Sequence, residues 1–117
     1  MKFTVSLKLN HVFRRLYAKG KSQVTPHLAL YARRNGGTGN RLGITVSTKL
    51  GHAVVRNRVR RRIREIYRIH EDLFLPGYDI VAVARVRAVY ARFDELERSF
   101  LKAAKGLNLL RSEEKET

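Results

Sequence analysis

The chain has 117 residues, 44% of them hydrophobic, which suffices for one domain with a modest core and excludes a second independent domain. Its 25 Lys and Arg against 10 Asp and Glu give a formal charge of +15, a self-repulsion that a body this small sustains best against a large acidic partner. Without Cys there is no disulfide framework or thiolate zinc site; no signal-like N-terminus or run of about 18 apolar residues occurs, so a soluble cytoplasmic protein is expected.

In chain order, Phe3 to Leu7 offers a short strand. Asn10 is placed to cap a helix at about 11 to 19 with apolar Val12, Phe13, Leu16 and Tyr17, closed by Gly20 in a left-handed conformation. Phe13 and Tyr17 are four apart and share one stripe. Thr25 to Arg33 alternates, placing Leu28, Leu30 and Ala32 on one face and Ala29, Tyr31 and Arg33 on the other. After a turn at Gly36 to Asn40, Arg41 to Ser47 alternates again with Leu42, Ile44 and Val46 inward, and the two strands read as a hairpin.

A helix at about 53 to 70 turns Val55, Val59, Ile63, Ile66, Tyr67 and His70 to one side and its arginines to the other. Pro76-Gly77 breaks the chain. Tyr78 to Arg85 is apolar at nearly every position and reads as a strand covered on both faces. A last helix at about 94 to 106 buries Leu96, Phe100, Ala103 and Ala104, with Asp94, Glu95 and Glu97 near its start to suit the dipole. The elements read in order α, β, β, α, β, α, preceded by the short strand at Phe3 to Leu7, and the fold as a whole is expected to have about αβββαβα order. That is an α+β fold, a single two-layer sandwich, predicted as one domain over 1–110 with a polar, disordered tail at 111–117.

The charge is concentrated. Residues 1 to 70 hold 17 basic groups and one acid, Glu65, hence +16, whereas residues 71 to 117 hold 8 basic and 9 acidic groups, hence −1. Solubility is served by mixed signs and does not call for such a block; nucleic acid explains it better than an anionic membrane does. Its centre is Arg56-Asn57-Arg58-Val59-Arg60-Arg61-Arg62-Ile63-Arg64-Glu65-Ile66-Tyr67-Arg68, with seven arginines in thirteen positions. Arg56 with Arg60, Arg58 with Arg62, Arg60 with Arg64 and Arg64 with Arg68 repel at i,i+4, so a partner must offset them. Arginine favours bidentate contacts to phosphate oxygens. Base readout in a DNA groove needs polar readers, and only Asn57 is present, so backbone recognition is expected and DNA is not.

The second feature is aromatic. Phe13 and Tyr17 read most simply as core, but Tyr31 alternates with inward Leu28 and Leu30 and so faces outward beside Arg33. An aromatic surface with basic edges stacks unpaired bases at about 1 to 3 kcal/mol per base with little sequence preference. Independent catalysis has no support. His11, His27, His52 and His70 show no metal-ligand spacing. Gly20-Lys21-Ser22 lacks the earlier glycine of a phosphate-binding loop. Asp79, Asp94 and Glu95 suit a strand start and a helix start better than a carboxylate cluster.

The segment Lys49-Leu50-Gly51-His52-Ala53-Val54-Val55-Arg56-Asn57-Arg58, continuing to Glu65, resembles the signature of the bacterial ribonuclease P protein subunit family, with its Arg-Asn-Arg motif at 56 to 58. Phe13 to Gly20 resembles the family's first helix, Leu28-Ala29-Leu30-Tyr31 its central strand, Arg41-Leu42-Gly43-Ile44 the strand before the motif, and Tyr78-Asp79-Ile80-Val81 the strand after it, so the likeness covers about residues 9 to 105.

This resemblance implies a left-handed β-α-β crossover, against the usual right-handed rule. It also implies a partner, the catalytic RNA, docked on Lys49, Arg56, Asn57, Arg58, Arg60, Arg61, Arg64 and Arg68. The 5′ leader of precursor tRNA would lie in a groove lined by Phe13, Tyr17 and Tyr31 with Arg33. Chemistry would rest on Mg²⁺ held by the RNA, with the protein raising substrate affinity and aiding metal binding at low salt. Position 17 is Tyr where many relatives have Phe, which keeps stacking and adds a hydroxyl. A ribosomal protein is the competing reading for such a composition; it has no need for a leader groove.

Overall fold

A computed structural model describes residues 1–111. Its elements are β1 (Thr4–Ser6), α1 (Asn10–Lys19), β2 (Lys21–Val24), β3 (Leu28–Arg34), β4 (Asn40–Thr45), α2 (Ala53–His70), β5 (Tyr78–Ala84), α3 (Arg87–Tyr90) and α4 (Phe93–Gly106). Short 3-10 turns at Thr48–Leu50 and Glu71–Leu73 flank α2. The expected α+β class holds, with a single five-stranded sheet ordered β1-β4-β5-β3-β2.

β5 runs down the centre, antiparallel to β3 and parallel to β4. Ile80, Val81 and Ala82 are fully buried, because an apolar strand without alternation is stable only where both its faces are covered. The predicted pairing of β3 with β4 as a hairpin is incorrect, since β5 lies between them. Alternation had fixed which residues face which way, not which strands are neighbours. The actual hairpin is β2–β3, with Ser22 opposite Tyr31 and Val24 opposite Ala29. The parallel connection from β4 through α2 to β5 forms the crossover unit.

Helices α2 and α4 cover one sheet face. Their Val59, Ile63, Ile66, Tyr67, Leu96, Phe100, Ala103 and Ala104 bury against Leu28, Leu30, Leu42, Ile80 and Ala82. Helix α1 lies on the other face, where Val12 and Leu16 join Leu7 and Val81 in a smaller core. The capping expectation for α1 fails at both ends. Leu9 is the N-cap, without a side-chain bond, and Asn10 is the first helical residue. Gly20 is extended, with φ −76°, not left-handed. Glycine is needed there for close approach, because a Cβ would sit 2.6 Å from the Leu16 carbonyl oxygen.

Two tethers hold the N-terminal strand. The buried Tyr67 hydroxyl pairs with Thr4 Oγ1 at 2.7 Å and accepts from Asn40 Nδ2 at 3.1 Å. The Glu71 carboxylate accepts the backbone N–H groups of Lys2 and Phe3 at 2.7 and 3.1 Å. Burial opposes ionisation of Glu71, but hydrogen bonds from Thr4, Lys2 and Phe3 and the N-terminal ammonium outweigh it and hold the carboxyl below its ordinary 4.5. A depressed folded value adds stability above the unfolded value and loses it as pH falls through the folded one. Amide exchange at Thr4 to Leu7 should therefore accelerate selectively on acidification below about pH 4.5, and Glu71→Gln should abolish that selectivity. Uniform exchange across the sheet would contradict this assignment.

At the other terminus, Arg111 is tied down. Its N–H donates to the Leu73 carbonyl at 2.7 Å and its Nε to that of Asp72 at 3.0 Å. The expected disorder of the rest of the tail, 112–117, lies outside the described residues.

Candidate nucleic-acid interface

Two surfaces bear the predicted residues, and they lie on opposite faces of the sheet. The first is the outer side of α2. The helix begins and ends where the sequence places it, with Val59, Ile63, Ile66 and Tyr67 buried and Val55 and His70 half-buried. Its arginines then divide by what they touch. Arg56 Nε donates to the Gly51 carbonyl at 3.1 Å, bracing the turn before the helix. Arg60 donates to Asn57 Oδ1 at 2.9 Å. Asn57 therefore orients a neighbouring guanidinium. Arg68 grips Glu65 through both carboxylate oxygens, which draws that exposed carboxyl below its ordinary range.

Arg58, Arg61 and Arg64 are exposed, and none of the ion pairs or side-chain hydrogen bonds among the described residues includes them. The repulsion anticipated from the spacing is thus left uncompensated except at Arg68. Lys49, exposed in the 3-10 turn before α2, continues the same basic edge; its N–H donates to Ser47 Oγ at 3.1 Å. Arg62 departs from its neighbours. It donates to the Ala91 carbonyl at 3.0 Å and fastens α2 to the segment before α4.

The second surface is built by α1 and three strands. Pairing sets Tyr31, Val81 and Gly43 in one row and Ala29, Val83 and Thr45 in the next. Phe13 lies over Gly43, where a Cβ would come within 2.6 Å of the ring. Tyr17 follows one turn later, with ring centroids 6.5 Å from Phe13 and 5.0 Å, edge-on, from Tyr31. The Tyr17 hydroxyl reaches Thr45 Oγ1 at 3.3 Å. Tyr17 remains 43% exposed, Tyr31 is half-buried, and the three rings border the half-buried Val83 and Thr45 of the adjoining row, a stretch of sheet that we take as the floor of a candidate trough. The floor was not foreseen, because β5 was not expected beside Tyr31.

Arg33 does not join these rings. It belongs to the row Arg33, Asp79, Arg41 and lines a small cavity with Val12, Arg15 and Leu16, on the opposite flank of α1 from Tyr17. No group of three or more His, Asp or Glu among the described residues could hold a metal ion. Asp79 is gripped by Arg41 at 2.7 and 2.8 Å, and Asp94 by Arg92 and Arg98. The described residues therefore do not fit a protein-held Mg²⁺.

The glycine beneath Phe13 offers a test of the groove's construction. Gly43→Ala should displace the Phe13 ring at a cost of about 1 to 3 kcal/mol, lowering the melting temperature by several degrees. Adding Phe13→Leu should recover part of that loss. Unchanged thermal unfolding of Gly43→Ala would show that the ring does not rest there.

A family model described as Ribonuclease P matches residues 1–108. The ribonuclease P protein component of Alkaliphilus oremlandii is 41% identical over 112 residues, covering 96% of this chain and 98% of its own. That of Clostridioides difficile is 43% identical over 97 residues, covering 82% and 85%. Among solved structures, the RNase P protein of Staphylococcus aureus superposes with a TM-score of 0.83 at 34% identity, over 91% of this chain and 97% of that one. The Thermotoga maritima protein gives 0.76 at 31% identity, over 83% and 92%.

Proposed function

Because the chain belongs to the ribonuclease P protein family, a component of a ribonuclease complex that works with an RNA subunit in tRNA processing, we propose that its two surfaces divide the RNA between them. The outer side of α2 with its flanking turn, Lys49, Arg56, Asn57, Arg58, Arg60, Arg61, Arg64 and Arg68, docks on the catalytic RNA. The trough of Phe13, Tyr17 and Tyr31 takes the single-stranded 5′ leader of precursor tRNA, without Arg33, which lies on the other flank of α1. The complex acts in the cytoplasm.

The observation that carries this reading is the group of guanidiniums at Arg58, Arg61 and Arg64, exposed and without a carboxylate among the described residues. Phosphate supplies the missing negative charge, and the planar guanidinium matches two of its oxygens. Placing the trough on the opposite sheet face leaves both surfaces free to be occupied together. Mg²⁺ in this scheme is held by the RNA and supplies the Lewis acid and the activated water of phosphodiester hydrolysis. The protein neutralises phosphate repulsion and orients the leader, so that fewer cations are needed to bring the two RNAs together.

Reconstitution at limiting Mg²⁺ tests this directly. Adding the purified chain to its cognate ribonuclease P RNA should stimulate 5′ leader removal from precursor tRNA, with the stimulation shrinking as Mg²⁺ rises. Absence of stimulation at every Mg²⁺ concentration would end the proposal.

A further inference from the structure

The cavity between α1 and the start of β5 carries more positive charge than its own carboxylate can balance. It has a volume of about 140 Å³ and is lined by four arginines, Arg15, Arg33, Arg34 and Arg41, together with Asn35 and Asp79. Asp79 is the sole acid among the described residues that line it, and it is saturated. Oδ1 accepts from Arg41 Nε at 2.7 Å and from Asn35 Nδ2 at 3.2 Å, while Oδ2 accepts from the second Arg41 nitrogen at 2.8 Å. Arg34 is turned onto Tyr78, 5.4 Å from the ring centroid, with its terminal nitrogen donating to the hydroxyl at 3.4 Å. Arg15 and Arg33 are exposed and take part in no ion pair or side-chain hydrogen bond among the described residues.

We infer that Arg15 and Arg33, with the Arg41–Asp79 pair as a fixed back wall, form a seat for one RNA backbone phosphate, separate from both the α2 face and the aromatic trough. The sheet fixes the spacing. Arg33, Asp79 and Arg41 occupy adjacent strands at one level, so Arg33 and Arg41 stand about 10 Å apart with the carboxylate between them. Arg41, bound on both its forks by Asp79, is held still and cannot swing out to quench the site. Arg15 approaches from α1 above. A tetrahedral oxyanion lowered between Arg15 and Arg33 meets two guanidiniums from different directions, one from the sheet and one from α1. A strand stacked on Tyr31 is separated from this seat by α1, so the phosphate comes from a different part of the bound RNA than the base on that ring.

The inference rests on the proposed RNA-binding role, and the experiment separates the two. Affinities would be measured between 50 and 200 mM salt in two arms, the chain with ribonuclease P RNA and the assembled complex with precursor tRNA. The proteins are wild type, Arg15→Gln/Arg33→Gln, and Lys102→Gln/Lys105→Gln on α4 as a control of equal charge. Loss of one phosphate contact should lower the slope of log K against log salt by about one, which shrinks the affinity ratio across this range about threefold. A change confined to the first arm assigns the phosphate to the RNA subunit, and one confined to the second assigns it to the substrate. A steep wild-type slope left unaltered by Arg15→Gln/Arg33→Gln in both arms, or altered equally by the control, overturns the seat while leaving the RNA-binding role intact. A flat wild-type slope overturns the RNA-binding role itself.

Discussion

Replacing Arg58, Arg61 and Arg64 together by glutamine is expected to reduce affinity for ribonuclease P RNA on the order of 10³-fold while leaving the protein at least as stable as before. Each of the three side chains is exposed and lacks a protein partner among the described residues, so no internal bond is lost on substitution. Each charge-assisted contact to phosphate contributes about 1.5 kcal/mol or more, and three such contacts give the stated factor. The slope of log affinity against log salt should fall by roughly three in the same variant. Stability moves the other way, because Arg58 with Arg61 and Arg61 with Arg64 are like charges at i,i+3 and their removal relieves a few tenths of a kcal/mol per pair. Arg62→Gln makes the informative contrast. It breaks the bond to the Ala91 carbonyl and should lower the melting temperature with a smaller effect on RNA affinity. If the triple variant unfolds more easily than Arg62→Gln, the division of this helix into RNA-facing and structural arginines is wrong.

That division marks the limit of what could be read in advance. Period and charge were enough to delimit α2 at both ends and to separate its buried stripe from its arginines, because Val59, Ile63, Ile66 and Tyr67 recur at helical spacing. They could not single out Arg62, whose role depends on a carbonyl 29 residues away. β2 was missed because all four of its residues are exposed at a sheet edge, where no burial imprints an alternating pattern. The mistaken hairpin has a related cause. Gly36 to Asn40 is a plausible turn, and only the insertion of β5, whose apolar residues demand the centre of the sheet, shows that the flanking strands part. The facing of Tyr31 survived this error, since Gly43 still lies at its level with Val81 between them. Arg33 shares Tyr31's sheet face, which is why the two were grouped, but a helix laid across that face separates them, and its position is a tertiary fact.

The aromatic trough supports the second large effect. Tyr31→Ala should weaken binding of precursor tRNA by the assembled complex about 5- to 150-fold, the equivalent of about 1 to 3 kcal/mol for one stacked base, and leave mature tRNA binding unchanged. The asymmetry follows from the geometry. Mature tRNA has no 5′ leader to enter the trough, and Tyr31 lies on the sheet face opposite α2. Tyr17 contributes by holding its ring edge-on to Tyr31 at 5.0 Å, so Tyr17→Ala should cause a similar selective loss, whereas Tyr17→Phe removes only the 3.3 Å contact to Thr45 and should be nearly silent. Phe13→Ala will be less clean, since the ring also packs on Gly43 and its removal opens a cavity of its own. Titrating complex against precursor tRNAs with progressively shorter leaders completes the test. The defect of Tyr31→Ala should vanish once the leader is too short to reach the ring. An equal loss for precursor and mature tRNA, at any leader length, would mean that the trough holds something other than the leader.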